Sequence, residues 1–198
     1  DMDVLSASTN DDKIAWYEND GSESFTEHVI STSADYAIRV HAVDVDGDGD
    51  MDVLSSALNA NEIAWYENDG SEAFTKNVIS TSVNYALHTA DLDGDGYMDV
   101  LSSNFLNNKI AWYKNDGSES FTEHVISDSA DYTRDVYAVD VDGDGDIDVL
   151  SANSGYGGEI VWYEQDGIGF QPQTTAALQT AVDLWVSDSA SAVAAYGD

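Results

Sequence analysis

Hydrophobic and polar positions alternate in short runs along this chain, and acidic or glycine-containing turns cut the runs every few residues. In one stretch the pattern predicts four strands. "HAVDVD" (residues 41–46) alternates into an aspartate-rich loop, "DVLSSA" (52–57) leaves it, "EIAWYE" (62–67) follows, and "FTKNVIS" (74–80) closes the unit. The turns Asn19-Asp20-Gly21, Asn68-Asp69-Gly70 and Asn115-Asp116-Gly117 carry the Asp-Gly signal of a hairpin, where glycine supplies the positive φ that the turn requires. The third strand is apolar on both faces, with Ile63 and Trp65 on one and Ala64 and Tyr66 on the other, so its sheet should be covered on both sides. No run has the apolar spacing of a helix.

The unit recurs. "KIAWYENDGSESFTEHVI" (13–30) returns as "EIAWYENDGSEAFTKNVI" (62–79), as "KIAWYKNDGSESFTEHVI" (109–126) and more loosely as "EIVWYEQDGIGF" from Glu159. Trp16, Trp65, Trp112 and Trp162 lie 49, 47 and 50 residues apart, within the ~40–50 residue period of propeller blades. A radial stack of small sheets also gives each blade two covered faces, which a two-layer sandwich does not. The expectation is an all-β chain, a β-propeller of four four-stranded blades, with the repeated Trp and Tyr as inter-blade core. Residues 1–198 then form one domain, with units at about 1–35, 36–84, 85–131 and 132–178 and a degenerate half-unit at 179–198.

Composition narrows the partners. A hydrophobic fraction of 42% with 11% aromatic residues argues for a folded core, while 39 acidic against 6 basic residues give a formal charge of −33. That balance disfavours unaided binding to nucleic acid or an anionic membrane and makes cations the natural partners. There is no cysteine to form a disulfide. No run approaches the ~18 apolar residues that would suggest membrane insertion, and no basic-then-apolar leader precedes the repeats. Because the chain opens on Asp1 rather than Met, a processed or fragmentary product is expected.

The charge is concentrated where folding should resist it. "DVDGDGDMD" (44–52), "DLDGDGYMD" (91–99) and "DVDGDGDID" (140–148) place acidic residues at nearly every odd position. Two carboxylates about 4 Å apart repel by about 1 kcal/mol in water and roughly 4 kcal/mol at an effective dielectric of 20, so a cation should sit among them. Side chains at positions 1, 3 and 5 with a main-chain carbonyl at 7 form the ligand pattern of a calcium loop. The glycines at positions 4 and 6 let the chain turn around the ion. The candidate ligands are Asp44, Asp46, Asp48, Asp50 and Asp52; Asp91, Asp93, Asp95, Tyr97 and Asp99; and Asp140, Asp142, Asp144, Asp146 and Asp148. Tyr97 at position 7 is tolerable if that position offers only its carbonyl. Position 12 holds Ser55, Ser102 and Ser151 rather than the bidentate Glu of an EF-hand, and strands flank each loop. Zinc would call for His or Cys and magnesium for fewer carboxylates, so about three Ca2+ ions are expected.

The motif D-x-D-G-D-G-x-x-D between two predicted strands, repeated with "AWYEN" and "F" landmarks, resembles the FG-GAP or VCBS repeat family, known from integrin α-subunit propellers and many bacterial surface proteins. The resemblance covers nearly the whole chain. It implies a propeller fold, usually seven-bladed, with calcium held at the blade edge by Asp44, Asp46, Asp48 and Asp52, by Asp91, Asp93, Asp95 and Asp99, and by Asp140, Asp142, Asp144 and Asp148. This chain stops well short of seven units.

The ends depart from the repeat. "DMDVLSAS" (1–8) matches "DMDVLSSA" (50–57), so the first unit lacks its opening strand, while "AVDLWVSDSASAVAAY" (181–196) aligns on "AVDVDGDGDIDVLSAN" (138–153) without its ligands. Three outcomes stand open: a closed four-bladed ring completed by residues 180–186, donation of that strand to the next copy to build a homo-oligomer or filament, or truncation of a larger propeller. An unpaired strand edge is a liability that a native protein should cover.

Catalysis is set aside. The paired carboxylates are accounted for as metal ligands, His28 and His124 share a repeat position with Asn77, and His41 and His88 share another with Tyr137. No nucleophile elbow or phosphate-binding glycine loop occurs. Two non-enzymatic readings remain: an extracellular, calcium-rigidified structural or filament unit, and a lectin- or adhesin-like module binding a glycan or protein. The second would use the dissimilar loops at Ser8, Ala57, Asn104 and Asn153, with Phe105 and Tyr156 as exposed aromatic candidates. Millimolar extracellular calcium would fill such loops where cytosolic calcium would not, so an extracellular or cell-surface location is expected.

Overall fold

The computed structural model describes residues 2–82, 85–155, 158–167 and 169–173. They form four antiparallel meander sheets, one per repeat. The first has three strands, β1 (Val4–Ser8), β2 (Lys13–Asn19) and β3 (Phe25–Ser31). The second holds β4 (Ala37–Val43), β5 (Asp52–Ala57), β6 (Glu62–Asn68) and β7 (Phe74–Ser80); the third holds β8 (Ala86–Ala90), β9 (Asp99–Asn104), β10 (Lys109–Asn115) and β11 (Phe121–Ser127). The fourth comprises β12 (Thr133–Val139), β13 (Asp148–Asn153), β14 (Glu159–Gln165) and the short β15 (Phe170–Pro172).

The sheets stack face to face in chain order, as propeller blades do. On β6, Ala64 and Tyr66 pack with Ile14, Ala37 and Val53 toward the first sheet, while Ile63 and Trp65 pack with Leu54, Val100 and Tyr113 toward the third. A third cluster, including Leu101, Ile110, Val136, Val149 and Tyr163, joins the third sheet to the fourth. Trp65, Tyr66, Tyr113, Trp162 and Tyr163 are buried in this inter-sheet core, as expected from their repetition. Trp16 and Trp112 are only half-buried, stacking on His28 at 4.2 Å and His124 at 4.8 Å. Those histidines cover indole rings. His41, His88 and Tyr137 meet in a row across β4, β8 and β12, with ring centroids 6.3 and 4.5 Å apart.

The hairpins follow their sequence. Gly21, Gly70 and Gly117 take φ of 73°, 76° and 73°, and the preceding Asp20 accepts the Ser22 amide at 2.8 Å, an Asx turn repeated at Asp69 and Asp116. Two expectations need adjustment. The opening strand begins at Ala37, before the stretch read as strand, and ends at Val43; Asp44 and Asp46 belong to the loop because their carboxylates bond its amides. Phe105 is half-buried rather than exposed, because it packs between Tyr85 and Tyr132. Tyr156 and the strand read at residues 180–186 lie outside the described residues. Among the described residues β1 pairs only with β2, so its other edge is open.

Candidate metal loops

Each aspartate loop joins the first strand of a sheet to its second: β4 to β5, β8 to β9, and β12 to β13. The glycines at positions 4 and 6 make the turn. Gly47 and Gly49 sit at φ +81° and +97°, and the other two loops repeat this backbone.

The first aspartate closes its loop. Asp44 accepts the Gly47 amide on Oδ1 at 2.8 Å and the Gly49 amide on Oδ2 at 3.0 Å. Asp140 does the same with Gly143 and Gly145 at 2.7 and 3.1 Å, and Asp91 takes Asp95 and Gly96 at 3.0 and 2.9 Å. The aspartate at position 9 has a different task. Asp52, Asp99 and Asp148 are fully buried, and each carboxylate bridges two backbone amides. One lies in its own loop, at Val45, Leu92 or Val141, 2.9 to 3.0 Å away; the other lies at the end of the third strand, at Asn68, Asn115 or Gln165, 2.8 Å away. These residues clamp the loop to the hairpin beyond it. Burial pushes all three carboxyls up. In Asp99 burial, helped by Asp93 and Asp95 and opposed by the two amides, raises the pKa to about 6.

Carboxylate oxygens gather within 4.8 Å of one another in each loop: Asp44, Asp46 and Asp48; Asp91, Asp93 and Asp99; Asp140, Asp142 and Asp148. Asp52, Asp95 and Asp144 stand outside these triads. The position 7 side chains also lie elsewhere: a Cβ added to Gly70 would meet Asp50 Oδ2 at 2.5 Å, and one added to Gly117 would meet the Tyr97 ring at 2.3 Å. Both side chains rest on the neighbouring hairpin. Asp146, like them, joins no triad. Serines at position 12 are buried in strand, with Ser102 Oγ donating to the Ala86 carbonyl at 2.9 Å, so they are no part of the loop. The donor set is carboxylate only, which suits a hard cation.

A family model for the FG-GAP-like repeat matches residues 1–55, 54–102 and 91–151. The chain belongs to the FG-GAP-like repeat family. No curated protein matches it by sequence. Among solved structures, an Agrocybe aegerita lectin, described for specific recognition of non-reducing terminal N-acetylglucosamine, is similar in fold with a TM-score of 0.56 at 14% identity. The match covers 87% of this chain and 52% of the lectin, so the chain spans about half the lectin's length.

Structure adds residues to these FG-GAP-like loops that motif spacing misses. Glu67, on β6, and Glu119, on the next sheet's hairpin, bring carboxylate oxygens within 4.8 Å of Asp46. Glu164, the counterpart of Glu67 on β14, has its carboxyl pushed up by partial desolvation and by the nearby Asp142, Asp148, Asp166 and Asp144. In the second loop the same strand position holds Lys114. Its ammonium contacts Asp93 and lies 3.0 Å from Asp95, and these contacts raise its pKa and lower that of Asp95. The signal was present in the sequence as a charge reversal, "AWYKN" against "AWYEN".

Proposed function

We propose that this chain is a non-enzymatic, calcium-rigidified β-propeller module of the extracellular space or cell surface, serving as a structural unit that assembles through its terminal strands. The observation that carries the reading is the recurrence of a carboxylate triad in the loop between the first and second strands of three consecutive sheets, drawn from positions 1, 3 and 5 in the first loop and from positions 1, 3 and 9 in the other two, with each loop clamped to its hairpin by a buried aspartate. Calcium would be held by Asp44, Asp46 and Asp48, by Asp91, Asp93 and Asp99, and by Asp140, Asp142 and Asp148, with Asp52, Asp95 and Asp144 adjoining. Asp50, Tyr97 and Asp146 would offer main-chain carbonyls. A bound ion would supply positive charge where the carboxylates crowd, and would tie together the first and second strands of the second, third and fourth sheets. FG-GAP repeats are typically extracellular and generally non-enzymatic, which agrees with this role.

Assembly rests on the outer edge of β1, which among the described residues pairs with no strand and so offers a place for a fourth. Residues 180–186 would complete that sheet, within the same copy to give a closed four-bladed ring, or in a neighbour to give a chain of copies. Calorimetric calcium titration together with light scattering and electron microscopy in millimolar calcium tests both halves. Three binding events and particles that lengthen with concentration support the reading; a calcium-free 21.3 kDa particle under those conditions refutes it. Binding events with a monodisperse 21.3 kDa particle would retain the metal loops and favour the closed ring. A second reading, glycan binding, is supported by the likeness to the lectin and by an aromatic cluster around Phe105.

A further inference from the structure

The chain's six cations divide sharply in their use. All four lysines are ion-paired: Lys13 with Glu27, Lys76 with Glu62 and Lys109 with Glu123, each at 2.5 Å, and Lys114 with Asp93. The two arginines are not. Among the described residues neither guanidinium is paired with a carboxylate, although acids outnumber bases 39 to 6. Instead both turn to one group of aromatic rings. Arg134 lies over Phe105 at 4.2 Å and over Tyr85 at 5.5 Å, and Arg39 lies over the same Tyr85 at 5.4 Å. Tyr132 meets Phe105 edge-on at 5.0 Å.

Backbone irregularities deliver these side chains. The register of β12 shifts between Thr133 and Asp135, so Arg134 is the extra residue of a bulge, and β4 has the same shift between Ala37 and Arg39; bulges re-aim side chains in this way. Tyr132 takes φ +54°, an uncommon conformation for a bulky residue, and is held there by its amide donating to Asn108 Oδ1 at 3.3 Å. Ser154 accepts from Arg134 Nε at 3.1 Å and donates to the Tyr132 carbonyl at 3.0 Å, which fixes the guanidinium beside the ring. Phe105, Tyr132, Arg134, Ser154 and Gly155 line a cleft of about 380 Å³, within the roughly 300–1,000 Å³ range of small-molecule sites.

We infer that this cleft binds an acidic sugar, a pyranose ring carrying one carboxylate. The inference deepens the glycan-binding reading and is independent of calcium. The Arg134 guanidinium offers N–H donors to a carboxylate, which Arg recognises in planar, bidentate geometry. Phe105 and Tyr132 give flat apolar faces against which a sugar ring packs. The charge of −33 disfavours a long polyanion. The Asp131 carboxylate lies against Gly155, where a Cβ would meet it at 1.9 Å, and its like charge would repel a second negative group on the ligand.

Ligand-observed NMR titration of the full chain should show methyl glucuronide binding and methyl glucoside binding at least ten-fold more weakly. Arg134→Gln should weaken the glucuronide at least ten-fold with an unchanged melting temperature, and Phe105→Ala should weaken it as well. Failure of the glucuronide to bind overturns the inference, as does equal affinity for the glucoside or for inorganic sulfate. N-acetylglucosamine binding that survives Arg134→Gln, without glucuronide binding, would keep the broader glycan reading and overturn this one.

Discussion

Replacing Asn115 with alanine should cost about 1–3 kcal/mol more stability than the same change at its repeat counterpart Asn19. The Asn115 side chain is 1% exposed. Its Nδ2 donates to the Val45 carbonyl in the aspartate loop of the preceding sheet at 2.8 Å and to the Met98 carbonyl at 3.3 Å, while Oδ1 accepts the Gly117 amide at 3.1 Å. In Asn115→Ala the buried Val45 carbonyl loses this partner, and a stranded buried acceptor costs about 1–3 kcal/mol. Met98 and Gly117 can turn to water, losing about 0.5–1.5 kcal/mol each. The sum is about 2–6 kcal/mol, or roughly 4–24 °C in Tm for a chain of this size. Among the described residues the Asn19 side chain makes only the two local bonds, to Met2 at 3.1 Å and from Gly21 at 3.1 Å, so Asn19→Ala should cost about 1–3 kcal/mol, or roughly 2–12 °C. Differential scanning calorimetry in fixed calcium reads both. Equal losses at the two sites, or a drop below about 2 °C for Asn115→Ala, would refute the idea that this carboxamide staples one sheet to the loop of another.

Chelation with EGTA should lower the melting temperature strongly, because each loop held at about 100 times its Kd contributes about 2.7 kcal/mol; an unchanged Tm sinks the metal assignment, and magnesium should not substitute. Lys114→Glu removes the ammonium from Asp93 and Asp95 and matches Glu67, so calorimetry should show the weakest of the calcium sites tightening; an unaltered isotherm would disprove competition by Lys114. The folded pKa of Asp99, about 6, lies above the unfolded value of about 3.9. Its stabilisation of the metal-free chain is therefore present below about pH 4 and lost as pH rises through about 6. Melting in EGTA should fall across that window, less steeply in Asp99→Asn, and a slope unchanged by the substitution would contradict this.

Much of the molecule could be read from local rules. The strands Asp52–Ala57 and Phe74–Ser80 appear where alternation placed them, because side-chain period and turn chemistry are set by near neighbours in the chain. The double-faced apolar pattern of Ile63 to Tyr66 also foretold a sheet between two others, since the pleat sends successive side chains to opposite faces. The loops were harder. Spacing set position 7 apart as a carbonyl donor but grouped the position 9 aspartates with the other side-chain ligands, yet Asp52, Asp99 and Asp148 also turn both oxygens to backbone amides, a second task that depends on the third strand arriving beside the loop.

Repetition alone established four like units, acidic loops between their first and second strands, and the excess of negative charge that those loops must neutralise. It could not establish which residues meet across units. Lys114 reaches Asp93 and Asp95, Glu119 approaches Asp46 from the next sheet, and Arg39, Tyr85, Phe105 and Arg134 converge from three sheets. The physical reason is one of range. Strand period, glycine turns and Asx turns are satisfied within a few residues, whereas these contacts arise only when sheets stack and bulges re-aim individual side chains across the seam.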